Sequence, residues 1–406
     1  MVLMKNNITR LTFIVGCIIL TAGCERNDEI GSHNGPIRIN VNTVASTKSV
    51  AMTATSLQGQ GFVLDVIADE KWTKVDEYGH AVGSENLAGP YVISSGAANV
   101  KYSSTSHPDT PGYDHDTEET EGWYIYDSEG YEVYNWINGI KLRFWARYPE
   151  KSMVDGGTNE GTLTVTVPGA KVAKENFNYK LPVSVAGRDA TNQLDLMFAY
   201  SDRIKQKEES DDDIDITFNH PLSEIRFCVS PDDATFDVSL QIKRIEIKNV
   251  PKEGSCVFDP AGTITGSTKM FTWTPVTTTL DNYSQDYNMM FDDDDAVTEW
   301  TAGTYQKSSN TYHIYTCDNA FMLIPHTLSY VSGKETVIEI TFYDSATSTD
   351  IVRTHKICGD SSNPVVWKPG YYYTYKIEAT KIGRSISSYV VLTDWTDHDS
   401  KINVPC

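Results

Sequence analysis

From Ile37 to Val44 apolar and polar side chains alternate: Ile37, Ile39, Val41 and Thr43 fall on one face, and Arg38, Asn40 and Asn42 on the other. A period of two is the mark of a strand with one buried face. It is the rule for this chain, because no stretch of ten or more residues shows helical periodicity. Phe62 to Ala68 is a denser apolar run and reads as a central strand. Tyr91–Ile93, Trp123–Tyr126, Lys141–Tyr148 and Leu163–Val167 read as further strands. The second half repeats the style at Ile214–Phe218, Glu224–Val229, Lys243–Val250, Ala320–Ile324, Thr336–Tyr343, Tyr371–Ala379 and Tyr389–Leu392. Gly, Pro, Ser and Asn separate these runs, as the turns of a β-sandwich require. Composition agrees: Thr outnumbers Leu by more than two to one and Tyr alone counts 23, a bias suited to half-buried pleated surfaces rather than helices.

A chain of 406 residues with 40 % hydrophobic side chains can bury a large core, and its length predicts about two domains. Asp202 to Asp213 (DRIKQKEESDDD) interrupts the strand pattern with charge. That places one β-sandwich domain at 37–200 and a second at 214–406. The net charge of −21 argues against nucleic acid, since phosphate contact needs a basic footprint.

The amino terminus predicts export. Lys5 and Arg10 precede Leu11 to Leu20, an uncharged apolar run of ten residues, too short to span a bilayer and of signal-peptide length. Thr21-Ala22-Gly23-Cys24 then resembles the lipobox of bacterial lipoproteins. In that reading 1–23 is removed and Cys24 is lipidated, anchoring the protein in the outer membrane through a palmitate-type lipid. An ordinary secretory signal cleaved nearby is the alternative. Residues 24–36 read as a flexible tether, with acidic residues behind the cysteine that resemble a surface-export signal of Bacteroidetes lipoproteins. With Cys24 lipidated, Cys228, Cys256, Cys317, Cys358 and Cys406 remain, none in C-x-x-C spacing. Isolated thiols are therefore expected, not a zinc or redox site.

Several segments, in order, resemble the fimbrillin-like family of Bacteroidetes surface proteins. They are Tyr134-Asn135-Trp136 followed by Leu142 to Pro149, Gln193-Leu194-Asp195-Leu196, and Ile216 to Ile225. Leu323-Ile324-Pro325-His326, Trp367 to Tyr375 and Val390 to Trp395 complete the series. Each also has a plain reading: Trp367-Lys368-Pro369-Gly370 is turn chemistry feeding a strand, and His220, at a break between two core strands, reads as structural. The resemblance implies an all-β chain of two tandem transthyretin-like β-sandwich domains after a lipoprotein signal peptide. It also implies subunit assembly by strand addition, in which a trypsin-like protease removes the first strand and a neighbour's strand refills the groove. Carried onto this chain, the removable strand is Ile37 to Val44, with Ile37, Ile39, Val41 and Thr43 inward. The cut falls between Lys48 and Ser49, in a short polar stretch; Lys48 is otherwise an ordinary solvated lysine, and the family's cut usually follows Arg. Only eleven residues follow Trp395, with a possible short strand at Lys401–Val404, which favours a tip or accessory subunit over a stalk.

Sequence signatures of catalysis are lacking: there is no G-x-S-x-G, H-E-x-x-H or Walker A pattern. His107, Asp109, Asp114, His115 and Asp116 flank a turn and are weak metal-ligand candidates; Asp292–Asp295 lacks the spacing of an EF-hand loop. The expectation is a non-enzymatic, cofactor-free fimbrial lipoprotein at the cell surface or in a fimbrium, partnered by other pilus subunits, the outer membrane and a host or glycan ligand. A stand-alone glycan- or host-ligand-binding surface lipoprotein is the alternative.

Overall fold

The computed structural model describes residues 37–43, 57–68, 91–93, 99–103, 122–126, 136, 141–149, 161–166, 173–182, 193–204, 213–231, 240–264, 269–290, 303–307, 310–316, 320–344, 346–379, 386–394 and 402–405. These are almost entirely strands. The first ten are β1 (Arg38–Thr43), β2 (Phe62–Ala68), β3 (Tyr91–Ile93), β4 (Asn99–Ser103), β5 (Gly122–Tyr126), β6 (Lys141–Tyr148), β7 (Thr162–Thr166), β8 (Glu175–Lys180), β9 (Met197–Ile204) and β10 (Asp213–Phe218). Then follow β11 (Ser223–Pro231), β12 (Leu240–Pro251), β13 (Glu253–Phe258), β14 (Phe271–Pro275), β15 (Leu280–Met290), β16 (Gly303–Lys307) and β17 (Asn310–Thr316). The last six are β18 (Phe321–Leu323), β19 (Val337–Asp344), β20 (Thr349–Lys356), β21 (Tyr371–Ala379), β22 (Ile386–Asp394) and β23 (Ile402–Pro405). The chain is all-β, as its periodicity requires.

Four sheets result. The first runs in the order β10-β1-β5-β4-β2-β6-β9, with β3 also on β2. Its two end strands meet: Phe198 and Asn219 exchange backbone hydrogen bonds of 3.0 and 2.9 Å. The sheet therefore wraps around one core. Inward residues of every second position fill it, among them Ile39 and Val41, Phe62 and Leu64, Leu142 and Phe144, and Ile216 and Phe218. Strand β2 is buried along its whole length, as its dense apolar run, interrupted by Asp65, predicts, because both of its faces are covered.

On the outer face of this wrapped sheet lies a second sheet, β14-β13-β8-β7. Phe177 of β8 stacks on Phe198 of β9 with ring centroids 4.2 Å apart. Phe258 of β13 meets Trp145 of β6 edge-on at 5.9 Å. Such aromatic pairs add about 0.5–1.5 kcal/mol each beyond their buried area. Strands on both sides of 205–212 share these sheets: β10 completes the first sheet, and the β13–β14 hairpin extends β8–β7.

The remaining strands form β16-β17-β11-β21-β22-β23, with β18 also on β11, and β15-β12-β19-β20. Ile245, Ile247, Ile338, Ile340 and Phe342 of the smaller sheet share one core with Ile225, Phe227, Tyr373 and Tyr375 of the larger. The turn before β21 is fixed as its sequence suggests: Gly370 has φ +70°, a conformation that costs a side chain about 1–2 kcal/mol, and its N–H donates to Leu222 O at 3.0 Å. Trp367 Nε1 donates to Tyr375 Oη at 2.9 Å, and Lys368 N to Tyr373 Oη at 2.7 Å.

His326 is buried against the edge of Trp367, ring centroids 5.2 Å apart. Its Nδ1–H donates to Ile324 O at 2.7 Å, while Nε2 has no hydrogen-bond partner among the described residues. Burial lowers its pKa from 6.5 to about 4. Between those values the unfolded chain binds a proton that the fold does not, so His326 costs stability progressively as pH falls from 6.5 towards 4. Urea unfolding at pH 7.5 and pH 5.0 is expected to show a smaller acid loss in His326→Asn than in the natural chain.

Candidate functional site

Strand β1 differs from its neighbours in what holds it. Among the described residues its strand partners, β10 and β5, are both distant in sequence. It runs parallel to β10 through six successive pairs, from Arg38 opposite Asp213 to Thr43 opposite Phe218. On its other side it meets β5 at a single antiparallel pair, Ile39 with Trp123. A parallel strand cannot be tied to its neighbour by a tight hairpin. Thus β1 is retained by a ladder and by its side chains, not by a local turn.

Those side chains divide cleanly. Ile37, Ile39 and Val41 are buried, each 7 % exposed, and Arg38, Asn40 and Asn42 are exposed. Burying an Ile or Val contributes about 1.5–3 kcal/mol each. The space they enter is lined by Ile214, Ile216 and Phe218 of β10, Ile125 of β5, and Phe62 and Leu64 of β2. Phe62 touches both flanking strands, with its ring 5.3 Å from that of Trp123 and 5.1 Å from that of Phe218. Tyr102 closes on Trp123 at 5.3 Å. An aromatic cluster contributed by β2, β4, β5 and β10 thus spans the slot that β1 fills. Without β1, the slot would offer the unpaired N–H and C=O groups of β10 beside an apolar trough, the surface that strand addition uses.

The slot's outer rim is polar. Asn40 Nδ2 donates to Asp215 Oδ1 at 2.9 Å. Arg203 Nη1 donates to Asp213 O at 2.8 Å, and its guanidinium lies 5.4 Å from the Trp136 ring centroid, bracing the β9 side.

Ile39 and Val41 of β1, with Ile37 just before it, are therefore brought together on one buried face, and Thr43 belongs to the same strand. Cys24, Lys48, Ser49, His107, Asp109, Asp114, His115 and Asp116 lie outside the described residues. Among the described residues no group of three or more His, Cys, Asp or Glu side chains could hold a metal ion. Cys256 and Cys358 are free and buried, and burial raises the Cys256 thiol well above its ordinary pKa.

Among the described residues lie two buried polar clusters; the first holds His220, which reads in the sequence as structural at a strand break, and the second has no sequence signature. His220 Nδ1 lies 2.6 Å from Asp195 Oδ2 at the break between β10 and β11, beside Glu224, whose partner is Arg226. Burial raises the Glu224 pKa against the lowering effect of Arg226. Asp65 of β2, Arg147 of β6 and Glu175 of β8 form the second cluster, between the wrapped sheet and the sheet on its outer face. The acids in both clusters are 2 % exposed or less, so they are placed to order strands rather than to meet a substrate.

A family model described as fimbrillin-like matches residues 102–395. Among solved structures, a fimbrial protein from Bacteroides vulgatus is 14 % identical, covering 88 % of this chain and 99 % of its own, with a TM-score of 0.48. A candidate cell adhesion protein from Bacteroides uniformis is 14 % identical, with 89 % and 98 % covered and a TM-score of 0.41. A candidate adhesin from Bacteroides thetaiotaomicron is 8 % identical, with 89 % and 96 % covered and a TM-score of 0.35. No curated protein matches the chain.

Proposed function

The chain belongs to the fimbrillin-like family, and from that premise we propose that it is a surface-exposed tip or accessory subunit of a fimbrium, assembled by strand addition and serving adhesion. Membership supports a fimbrial, adhesion-related and structural role at the cell surface, in association with other subunits. The finer reading is that Cys24 carries a lipid anchoring the protein in the outer membrane, and that a cut between Lys48 and Ser49 frees residues 37–48. The observation that carries it is the tethering of β1: six parallel pairs to β10, one pair to β5 and an apolar underside. A strand from another subunit could replace it without rearranging any hairpin.

At the other end, among the described residues, β23 pairs with β22. We propose that 37–200 and 214–406 are the bodies of two sandwich domains, with β10, β13 and β14 given back to the first. The role is non-catalytic and needs no cofactor.

The test is brief digestion of the chain beginning after Cys24 with a trypsin-like protease, then size-exclusion chromatography beside a Lys48→Ala control. New oligomers from the cut chain, absent from the control, are the expected result. A cut chain that stays monomeric would instead favour a stand-alone surface lipoprotein that binds a glycan or host ligand.

A further inference from the structure

Strand β12 runs into β13 with one residue between them, and β14 into β15 with four. Since β12 pairs with β15 and β13 with β14, residues 240–258 and 271–290 form one long two-stranded ribbon. One half of it belongs to the sheet β15-β12-β19-β20 and the other to the outer sheet β14-β13-β8-β7. Both strands break at the same level. Asn249 has φ +63°, the register shifts between Ile247 and Val250, and Pro251 brings no N–H. Opposite them, 276–279 leave the ladder. A ribbon bends at such a place. Across the break Val276 N donates to Glu253 O at 2.8 Å and Lys252 N to Thr279 O at 3.5 Å, a thin tie that makes the ribbon a hinge rather than a lock.

A second connection is independent of the ribbon. Residues 193–196 precede β9, and Gln193, Asp195 and Leu196 are 4 % exposed or less. Gln193 Oε1 accepts a buried hydrogen bond from Met322 N of β18 at 2.7 Å. Asp195 Oδ2 lies 2.6 Å from His220 Nδ1, where the chain passes from β10 to β11. Asp195 also faces the wrapped sheet: burial, with the Asp195 charge adding to it, pushes the Tyr148 phenol of β6 up to about 12. Just after His220, Pro221 O accepts from Trp273 Nε1 of β14 at 2.7 Å. Leu196 and Leu222 lie in the one apolar core that holds Phe177 and Phe198 as well as Ile245 and Ile340, whereas the residues behind β1 form a separate core.

We infer that Gln193 to Leu196, closed on Met322 and His220, is a latch that holds the ribbon hinge shut and couples the layered pair of sheets around β8 and β9 to the pair around β12 and β19, so that the two open as one cooperative unit. The latch does not depend on strand replacement at β1, whose core is separate. Truncating Gln193 and Asp195 takes one partner each from the buried Met322 N and His220. Losing a buried partner in this way is expected to quicken opening by about tenfold to hundredfold.

The experiment is native-state amide hydrogen exchange on the chain beginning after Cys24, read at the most protected amides of β8 and β9 and of β12 and β19. The probe is Ile340→Val, a small cavity made in β19 alone. In the otherwise natural chain it should quicken exchange in all four strands by the same factor, about twofold to tenfold. With Gln193→Ala and Asp195→Ala added, the same probe should quicken β12 and β19 only. If it acts on β12 and β19 alone in the otherwise natural chain, the two bodies are not coupled and the latch is refuted. If it still acts on all four strands after both truncations, the coupling runs through the ribbon and the latch is refuted again. Folding of the doubly truncated chain is checked by circular dichroism; should it fail to fold, Gln193→Ala alone carries the comparison, with the same two outcomes.

Discussion

Replacing Arg147 by Met is expected to destabilise the fold by about 3–5 kcal/mol, the usual result of removing one partner from a buried charged cluster. Arg147 Nη1 pairs with Asp65 Oδ2 and lies 4.0 Å from Glu175 Oε1. One guanidinium therefore serves two carboxyls that are 0 % and 1 % exposed. Without it, the two buried acids lose the cation that both now share. Asp65 Oδ1 and Glu175 Oε1 have no hydrogen-bond partner among the described residues even with Arg147 present. Nearby, Lys174 is engaged by Asp259 at 2.8 Å and is not free to substitute. Adding Asp65→Asn and Glu175→Gln to Arg147→Met should restore much of the loss in urea unfolding, since neutral amides do not repel. No loss in the single variant would mean that the cluster is not what joins the two layers.

The same cluster has a pH signature with a definite sign. Burial raises the Glu175 pKa from 4.5 to about 8, with Arg147 acting against it. Between those values the fold holds a proton that the unfolded chain has released. The contribution of Glu175 is therefore undiminished below pH 4.5 and is lost as pH rises towards 8. Glu175→Gln should remove that alkaline loss, read as a flatter dependence of the urea midpoint between pH 5.5 and 8.5.

Ile39→Asp is expected to cost β1 about 3–5 kcal/mol of docking free energy, combining the lost side chain with an unpaired carboxylate in an apolar slot. The effect should be local. Amide hydrogen exchange should quicken across 38–43 and along its partner 213–218, while Ile245, Ile338 and Tyr375, in the other core, keep their protection. Asn42→Asp, on the exposed face, is the control and should change little. If exchange were unchanged along β10, β1 would not be the strand that completes the slot.

Much of this was legible in sequence because the strands with one or two buried faces announce themselves. Phe62–Ala68, Lys141–Tyr148 and Tyr371–Ala379 match β2, β6 and β21 residue for residue. Gly370 takes the positive φ that its turn suggested. Strands that lack an apolar face could not be read this way. Strand β20 (TDIVRTHK) is an edge whose side chains are exposed or half-buried throughout. In β8 (ENFNYK) only Phe177 and Tyr179 show the period, between asparagines that disfavour strands. The Asp65–Arg147–Glu175 cluster was invisible for another reason: its members come from three strands, and only sheet packing brings them together. The slot itself was half legible. The alternation of Ile37 to Thr43 was plain, but nothing in the sequence paired it with 213–218, on the far side of a charged segment.

The fate of residues 37–48 after cutting decides whether β1 is a replaceable strand. The chain beginning after Cys24 is digested with a trypsin-like protease, the product is separated by size, and its intact mass is taken before and after adding labelled Ile37–Val44 peptide. One cut after Lys48, loss of the amino-terminal fragment from the folded body, and uptake of one labelled peptide per chain are the expected results. A fragment that stays bound through separation and excludes the peptide would show that β1 is a permanent strand.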